Sequence, residues 1–184
     1  IERGGEDPAV RTAVGEIRLQ LGDPAAAVQD FDAALRVDPD ALAAHRGKAR
    51  ALEAQGDLAG AISSWQALAE RDPKDFAIQL GLGTALRRQK RTDEAIAALE
   101  AARALAPENA AILVALAQAR FDQGDAAQAI QLAEAALAID DRSAEGWHQL
   151  SRFRLANGDA SAAARAARRA IELEPKNAAY HFQL

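Results

Sequence analysis

Polar turns that contain proline interrupt the chain at a fixed interval and separate segments that are rich in alanine. Pro39, Pro73 and Pro107 lie 34 residues apart, and Pro175 follows two periods later, with Asp141 in the slot between them. Alanine supplies 49 of the 184 residues and is the strongest helix former. Because β-branched and aromatic residues form no alternating run, no strand is predicted. The pattern therefore predicts helical units of 34 residues.

A second polar turn divides each unit near its middle. The tripeptides LGD (21–23), QGD (55–57), QGD (123–125) and NGD (157–159) share one register of the period. Glycine can adopt the left-handed conformation that ends a helix, and the aspartate after it can cap the next helix. In the third unit Lys90 takes the place of glycine, and Thr92 is expected to cap the helix that follows. Each unit is thus predicted to be a helix, a tight turn and a second helix.

Small residues occupy two fixed positions of the period, twelve residues apart. Such side chains let two antiparallel helices approach closely, as the packing of ridges into grooves requires. The first position holds Gly15, Ala49, Gly83, Ala117 and Ser151, and the second holds Ala27, Ala61, Ala95, Ala129 and Ala163. We therefore expect the two helices of each unit to pack through these residues.

In its period and its small positions the chain resembles the tetratricopeptide repeat family over about residues 8–177. The family's bulky position 24 holds Phe31, Trp65 and Leu99 and then Ala133 and Ala167, and its tryptophan at position 4 is kept only as Trp147. The resemblance implies an all-α fold, a right-handed superhelical α-solenoid of antiparallel helix pairs. Its five repeats would occupy residues 8–41, 42–75, 76–109, 110–143 and 144–177.

Both ends of the chain lie outside these repeats. Residues 1–7 are polar and contain glycine, so we expect a flexible leader. Residues 178–184 begin a further helix, which is then truncated. Because a repeat cannot bury its own apolar face, we expect the parent chain to continue with more repeats or with another domain.

Composition narrows the class of partner. The net charge is −5 and the charges of both signs are interspersed, which argues against a nucleic-acid-binding protein. The longest apolar run, residues 110–117, is far shorter than the roughly 20 residues of a membrane span. The absence of cysteine leaves the redox compartment undetermined, so cytoplasm and periplasm stay equally open. Arginine outnumbers lysine 18 to 4, a composition typical of a GC-rich bacterial genome.

Residues with catalytic or metal-binding chemistry are few and scattered. His45 and His181 both occupy position 4 of the repeat, where packing between helices accounts for them. No histidine pair has the spacing of a helical zinc site, no serine lies in a nucleophile elbow, and no glycine-rich phosphate loop is present. We therefore predict a protein that is not an enzyme and needs neither a cofactor nor a metal.

The resemblance also implies a concave groove lined by the first helix of each repeat. Its residues in this sequence would be Arg46, Arg50, Leu80, Thr84, Arg87, Val114, Gln118, Phe121, His148 and Arg152. Leu80, Val114 and Phe121 would form an apolar centre with cationic side chains on both sides. Because guanidinium groups bind carboxylates in a bidentate manner, such a groove suits a peptide with apolar anchors and acidic flanks, or an amphipathic helix.

Some groove residues also have a simpler interpretation. Arg50 could pair with Glu53, three residues further on, or with Glu16, one repeat earlier, instead of with a partner. Lys48 stands where the other repeats have Val or Leu; it could extend its amine to water or pair with a buried carboxylate. The clamp with which some family members hold chaperone tails is absent, because Gly47 and Gly81 replace its asparagine.

The leading hypothesis is a non-catalytic scaffold that binds a peptide or a helix of a partner protein in its groove. Alternatively, the repeats could recruit substrates for a larger enzyme, such as a transferase whose catalytic domain follows residue 184, or target it. A third hypothesis is a self-assembly module that forms homo-oligomers through the ends of the array. The downstream part of the gene and the mass in solution would separate these hypotheses.

Overall fold

The computed structural model describes residues 7–181, and this part of the chain is all-α. A first unit, which ends at Lys90, contains α1 (Pro8–Gln20), α2 (Pro24–Val37), α3 (Leu42–Gln55), α4 (Leu58–Arg71) and α5 (Phe76–Arg88). A second unit begins at Arg91 and contains α6 (Thr92–Leu105), α7 (Ala110–Asp122), α8 (Ala126–Ile139), α9 (Ala144–Ala156), α10 (Ala160–Leu173) and α11 (Ala178–His181). Within each unit, consecutive helices pack as antiparallel neighbours, which confirms the predicted fold class.

The helices start with the period of the sequence. The odd-numbered helices begin at residues 8, 42, 76, 110, 144 and 178, and the even-numbered ones at 24, 58, 92, 126 and 160. Asp7 accepts a hydrogen bond from the amide of Ala9 at 2.8 Å and caps α1, so its assignment to a flexible leader is wrong. The rest of the predicted leader, residues 1–6, and residues 182–184 of the last helix lie outside the described residues.

The turns inside the repeats have the predicted geometry at the four positions with glycine. Each glycine has a φ between 80° and 96°, in the left-handed region. Each following aspartate accepts a hydrogen bond from the backbone amide three residues on, at 2.9 to 3.0 Å. The glycines are Gly22, Gly56, Gly124 and Gly158, and the aspartates are Asp23, Asp57, Asp125 and Asp159. Local sequence thus sets both the end of one helix and the start of the next.

The turn before α6 differs from the other four. Lys90 itself adopts the left-handed conformation, with a φ of 63°. The prediction that Thr92 caps α6 is wrong, because Thr92 is already the first residue of the helix. Arg91 occupies the capping position without a side-chain cap and pairs with Glu94 at 2.6 Å. This turn therefore combines a strained residue with an uncapped helix start.

The predicted small positions form the contact between paired helices. All ten of these residues are buried, and the five alanines of the second position are at most 4% exposed. The hydroxyl of Ser151 donates a hydrogen bond to the carbonyl oxygen of Ala163 at 2.9 Å, so one small residue of the fifth repeat bonds directly to the other. Close approach of the helices explains why neither position holds a large side chain.

Bulky residues at position 24 fit against glycines of neighbouring helices. A Cβ atom added to Gly47 would lie 2.3 Å from the Phe31 ring, and one added to Gly15 would lie 2.8 Å from it. A Cβ added to Gly81 would lie 2.6 Å from the Trp65 ring. In the next two repeats the corresponding pairs are Leu99 with Ala115 and Ala133 with Gln149. The side chain at position 24 therefore becomes smaller as the residue at position 6 of the next repeat becomes larger.

Candidate functional site

The first unit contains a cleft of about 420 Å³ on the face where the groove was predicted. We call it the first-unit cleft. Its lining is Glu16 of α1, Ala43, Arg46, Arg50 and Glu53 of α3, Trp65 of α4, and Ala77, Leu80, Gly81 and Thr84 of α5. Gly81 keeps the backbone of α5 close to the Trp65 ring, while the small Ala43 and Ala77 leave the space open. Four of the five residues predicted in this unit thus lie together around one opening.

Arg46 and Arg50 are both paired with carboxylates of the same unit. Arg46 Nη1 lies 2.9 Å from Asp75 Oδ2, and Arg50 Nη1 donates to both carboxylate oxygens of Glu16 at 3.0 and 3.1 Å. Their side chains are still 42% and 54% exposed. The alternative of arginines paired within the chain therefore holds for both. A carboxylate from a partner would have to exchange with Asp75 or Glu16.

Glu53 is engaged from two sides and not by Arg50. The indole nitrogen of Trp65 donates a hydrogen bond to Glu53 Oε1 at 2.7 Å, and Arg88 Nη1 lies 3.4 Å from Oε2. The expected Arg50–Glu53 pair within α3 is wrong, since Arg50 reaches across to Glu16 on α1 instead. The carboxylate of Glu53 is only 13% exposed, so the indole hydrogen bond compensates for part of its lost hydration.

The remaining predicted residues of the first unit lie on α5. Leu80 is half-buried and its carbonyl oxygen accepts a hydrogen bond from the Thr84 hydroxyl at 2.8 Å. Arg87 is also half-buried but is not part of the cleft lining. The cleft is therefore apolar at Leu80 and its alanines and nearly balanced in charge at its rim.

The other five predicted residues lie in the second unit, on α7 and α9. Phe121 contacts the buried ring of Phe153, with 4.8 Å between the ring centroids, and the guanidinium carbon of Arg152 lies 5.8 Å from the centre of the Phe121 ring. Val114 and Gln118 precede Phe121 on α7 and are half-buried. Arg152 also donates to the side-chain oxygen of Gln149 at 2.9 Å, which fixes it beside the phenyl ring.

His148 belongs to a small aromatic pair at the end of the second unit. Its ring centroid lies 4.9 Å from that of Tyr180 on α11. Burial lowers the pKa of His148, opposed by Glu145 and assisted by Arg152. Burial together with the nearby carboxylates of Glu145 and Glu174 raises the pKa of the Tyr180 phenol. Both rings are therefore favoured in their neutral form, which suits contact with an apolar side chain.

Neither a metal centre nor a membrane helix is found in the described part of the chain. Across residues 7–181, no three side chains of histidine, aspartate or glutamate converge as metal ligands would. Each helix in that range is too short or too polar to cross a bilayer. The side chains on these faces can make apolar contacts, hydrogen bonds and ion pairs, which are the interactions of a binding surface.

Two family models, both described as tetratricopeptide repeat, match the chain. One covers residues 13–76, and the other covers residues 52–118, 86–152 and 120–184. The chain belongs to the tetratricopeptide repeat family. Helices α1 to α10 correspond to five tetratricopeptide repeats. Proteins of this family mediate protein–protein interactions, and its members are typically non-catalytic scaffolds.

Solved structures with the same fold share little sequence with this tetratricopeptide repeat protein. A thermophilic tetratricopeptide repeat protein of Thermus thermophilus is 23% identical, with 96% of each chain covered and a TM-score of 0.83. Cut9, in its APC/C hetero-tetramer with Hcn1, is 22% identical over 97% of this chain and 36% of its own, with a TM-score of 0.87. YrrB, described as having an unusual peptide-binding site, is 16% identical over 99% and 94%, with a TM-score of 0.70. No curated protein matches the chain.

The repeats also contain ion pairs that sequence reasoning missed. Asp30 on α2 is only 3% exposed, and Arg11 and Arg18 on α1 approach its two oxygens at 2.9 and 2.8 Å. An aspartate at a position where other repeats have alanine, serine or leucine was the available signal. Lys48 pairs with Asp32 at 2.6 Å, and because both are partly exposed, its amine reaches water as well as a carboxylate. These pairs join neighbouring helices of the first unit.

Proposed function

We propose that the chain is a non-catalytic scaffold that binds a peptide or a helix of a partner protein on the faces predicted from the repeat. The observation that supports this function is the first-unit cleft, which is open to solvent and apolar at its centre. An apolar anchor of the partner would contact Leu80, Ala43 and Ala77. Removing these side chains from water provides the affinity.

Acidic flanks of the partner contribute selectivity more than affinity in this proposal. Arg46 and Arg50 already have carboxylate partners, so a new pair replaces an existing one. Exposed ion pairs are worth only about 0.2–1 kcal/mol, and the exchange gains less than that. Complementary charge still accelerates encounter and disfavours basic partners.

The second unit offers a surface for the same kind of ligand. Val114, Phe121 and the neutral ring of His148 provide apolar contact area, and Arg152 adds a guanidinium beside the Phe121 ring. Gln118 lies between Val114 and Phe121 on α7 and supplies a hydrogen-bonding amide. This unit would bind its own segment of a partner, and two linked segments would bind more tightly than either alone.

Selection from a phage-displayed library of random peptides tests this function. The variants Leu80→Asp and Val114→Asp each place a charge among apolar contacts, one in each unit. The control variants Gln66→Asp and Ala135→Asp place the same charge at exposed positions of α4 and α8. We expect a groove variant to weaken binding of the selected peptides by about tenfold or more, because an unpaired charge would be desolvated. Equal binding by groove and control variants would refute the proposal, once circular dichroism melts show that all four fold.

A second candidate function, self-assembly, is favoured by the exposed side chains of α1. Val10 and Ile17 are each 55% exposed and Leu21 after the helix is 79% exposed. The mass in solution, measured by light scattering over a range of protein concentrations, tests it. Association that disappears in the variant Ile17→Glu would support self-assembly through α1, and a concentration-independent monomer mass would exclude it.

A further inference from the structure

A second cleft, between α9 and α10 of the fifth repeat, carries a different chemistry from the groove. Its volume is about 470 Å³. The floor is formed by Trp147, Leu150, Ala162 and Ala166, and the rim by Arg154, Arg165 and Arg169. We call it the α9–α10 cleft. Its residues on α9 recur at i, i+3 and i+7, on a face adjacent to that of His148 and Arg152.

The space in this cleft results from the composition of α10. The side of α10 that packs on the repeat consists of alanines, Ala162, Ala163, Ala166, Ala167 and Ala170, all at most 4% exposed. Methyl side chains let the helix backbone approach α9 but leave the indole of Trp147 and the side chain of Leu150 incompletely covered. An apolar floor with an arginine rim is the result.

Positive charge accumulates at this rim because only some of the arginines have acidic partners. Arg154 pairs with Glu134, and Arg169 lies 3.0 Å from Glu172. Arg165 donates a hydrogen bond to the Ser161 hydroxyl at 2.9 Å, and Arg168 beside it is exposed. Within residues 7–181 no carboxylate lies at ion-pair distance from Arg165 or Arg168. The chain as a whole carries a net charge of −5, so this cluster runs against its overall sign.

These arginines occur in the fifth repeat alone. The position of Arg165 holds Gln29, Ser63, Ala97 and Gln131 in the other repeats, and that of Arg169 holds Ala33, Ala67, Ala101 and Ala135. The position of Arg168 holds Asp32, Gln66, Glu100 and Glu134. If the fold required basic side chains at these positions, the other repeats would have them too. The cluster is therefore a property of this repeat and not of the architecture.

We propose that the α9–α10 cleft binds an acidic segment of a partner protein, with one bulky apolar side chain of that segment on the Trp147 floor. The partner's carboxylates pair with Arg165 and Arg168, whose guanidinium groups are available for bidentate contacts. The apolar side chain covers the indole and leucine surface that the alanines of α10 leave open. This site is separate from the proposed groove and does not depend on it.

The geometry favours an acidic peptide over the two other anionic macromolecules. An anionic membrane would require apolar side chains that protrude from the basic surface, and here they lie at the bottom of the cleft. A nucleic acid would require a longer stripe of cations, because its affinity comes from many phosphate contacts. Four arginines, two of them already paired, match the few carboxylates of a short segment.

Fluorescence anisotropy with a defined probe tests this proposal. The probe is a fluorescein-labelled peptide with Leu-Phe at its centre and glutamates on both sides, and a second probe has Ser-Ser in place of Leu-Phe. We expect the double variant Arg165→Glu, Arg168→Glu to weaken binding of the first probe about tenfold or more, since close charge pairs become repulsive. We also expect the Ser-Ser probe to bind the wild type more weakly than the first, because it leaves the Trp147 floor uncovered.

A matched control separates the site from net charge. The double variant Arg36→Glu, Arg142→Glu makes the same change of charge at two other exposed arginines, and we expect it to bind as the wild type does. Leu80→Asp should also leave this binding unchanged, which separates this site from the groove. Equal loss in the control variant, or no binding by the wild type, would overturn the proposal. Preferential binding to an oligothymidylate or to phosphatidylserine vesicles, lost in Arg165→Glu, Arg168→Glu, would overturn the choice of partner.

Discussion

Replacing Gly47 by alanine tests whether the fit between position 24 and the next repeat stabilises the array. The new Cβ would lie 2.3 Å from Cε1 of Phe31, whereas ordinary contacts begin at 3.4 Å, so the ring and α3 would have to separate by about 1.1 Å. Phe31 cannot retreat to the other side, because Gly15 of α1 lies close to the same ring and the side chain is fully buried. We therefore expect strain and not simple accommodation.

The magnitude follows from two opposing effects. Alanine in place of glycine in a helix interior stabilises by about 1 kcal/mol. Overpacking a well-packed core costs about 1–3 kcal/mol, and the size of this overlap places Gly47→Ala at the upper end. We expect the free energy of unfolding to fall by about 1–2 kcal/mol. Urea unfolding followed by far-UV circular dichroism measures it, provided that the slopes of the transitions agree.

A double variant provides the control for this prediction. Phe31→Leu removes the ring and reproduces the Leu/Ala pair that residues 99 and 115 already form in the sequence. In that background Gly47→Ala should be neutral or stabilising by up to about 1 kcal/mol, which makes the coupling energy about 2–3 kcal/mol. A loss of the same size in both backgrounds, or a more stable Gly47→Ala single variant, would refute the packing argument.

Three further predictions concern charge and backbone. Lys90→Gly should raise the free energy of unfolding by about 0.5–1 kcal/mol, because glycine adopts the φ of 63° without strain; an unchanged urea midpoint would contradict this. Asp30→Asn should lower it by about 1.5 kcal/mol, because Asp30 is buried between Arg11 and Arg18, whereas the exposed control Asp32→Asn should lower it by under about 1 kcal/mol in the same assay. The pKa of His148, measured by NMR titration, should lie below 6.5, so the folded state binds fewer protons than the unfolded state and stability falls as pH drops below 6.5; a pKa above 6.5 would contradict the assignment of burial as its dominant cause.

The helices of this protein and their order along the chain follow from its sequence alone. Helix ends at Gly56 and caps such as Asp57 depend on dihedral angles and hydrogen bonds within a few residues, so their signals are local. Repetition of these signals every 34 residues made the helix pairs and their family recognisable. The weakest local signal was the turn at Lys90, and there the predicted cap was wrong.

Which side chains meet between helices depends instead on the tertiary structure. Arg50 had two possible partners in the sequence, and the distance between α1 and α3 selects Glu16 over Glu53. The Phe31–Gly47 contact and the charge excess at Arg165 likewise depend on how closely neighbouring helices pack. The physical reason is that exposed ion pairs differ by fractions of a kcal/mol, about 0.2–1, and packing contacts depend on separations of about 1 Å, which the positions of the helices set and no local pattern records.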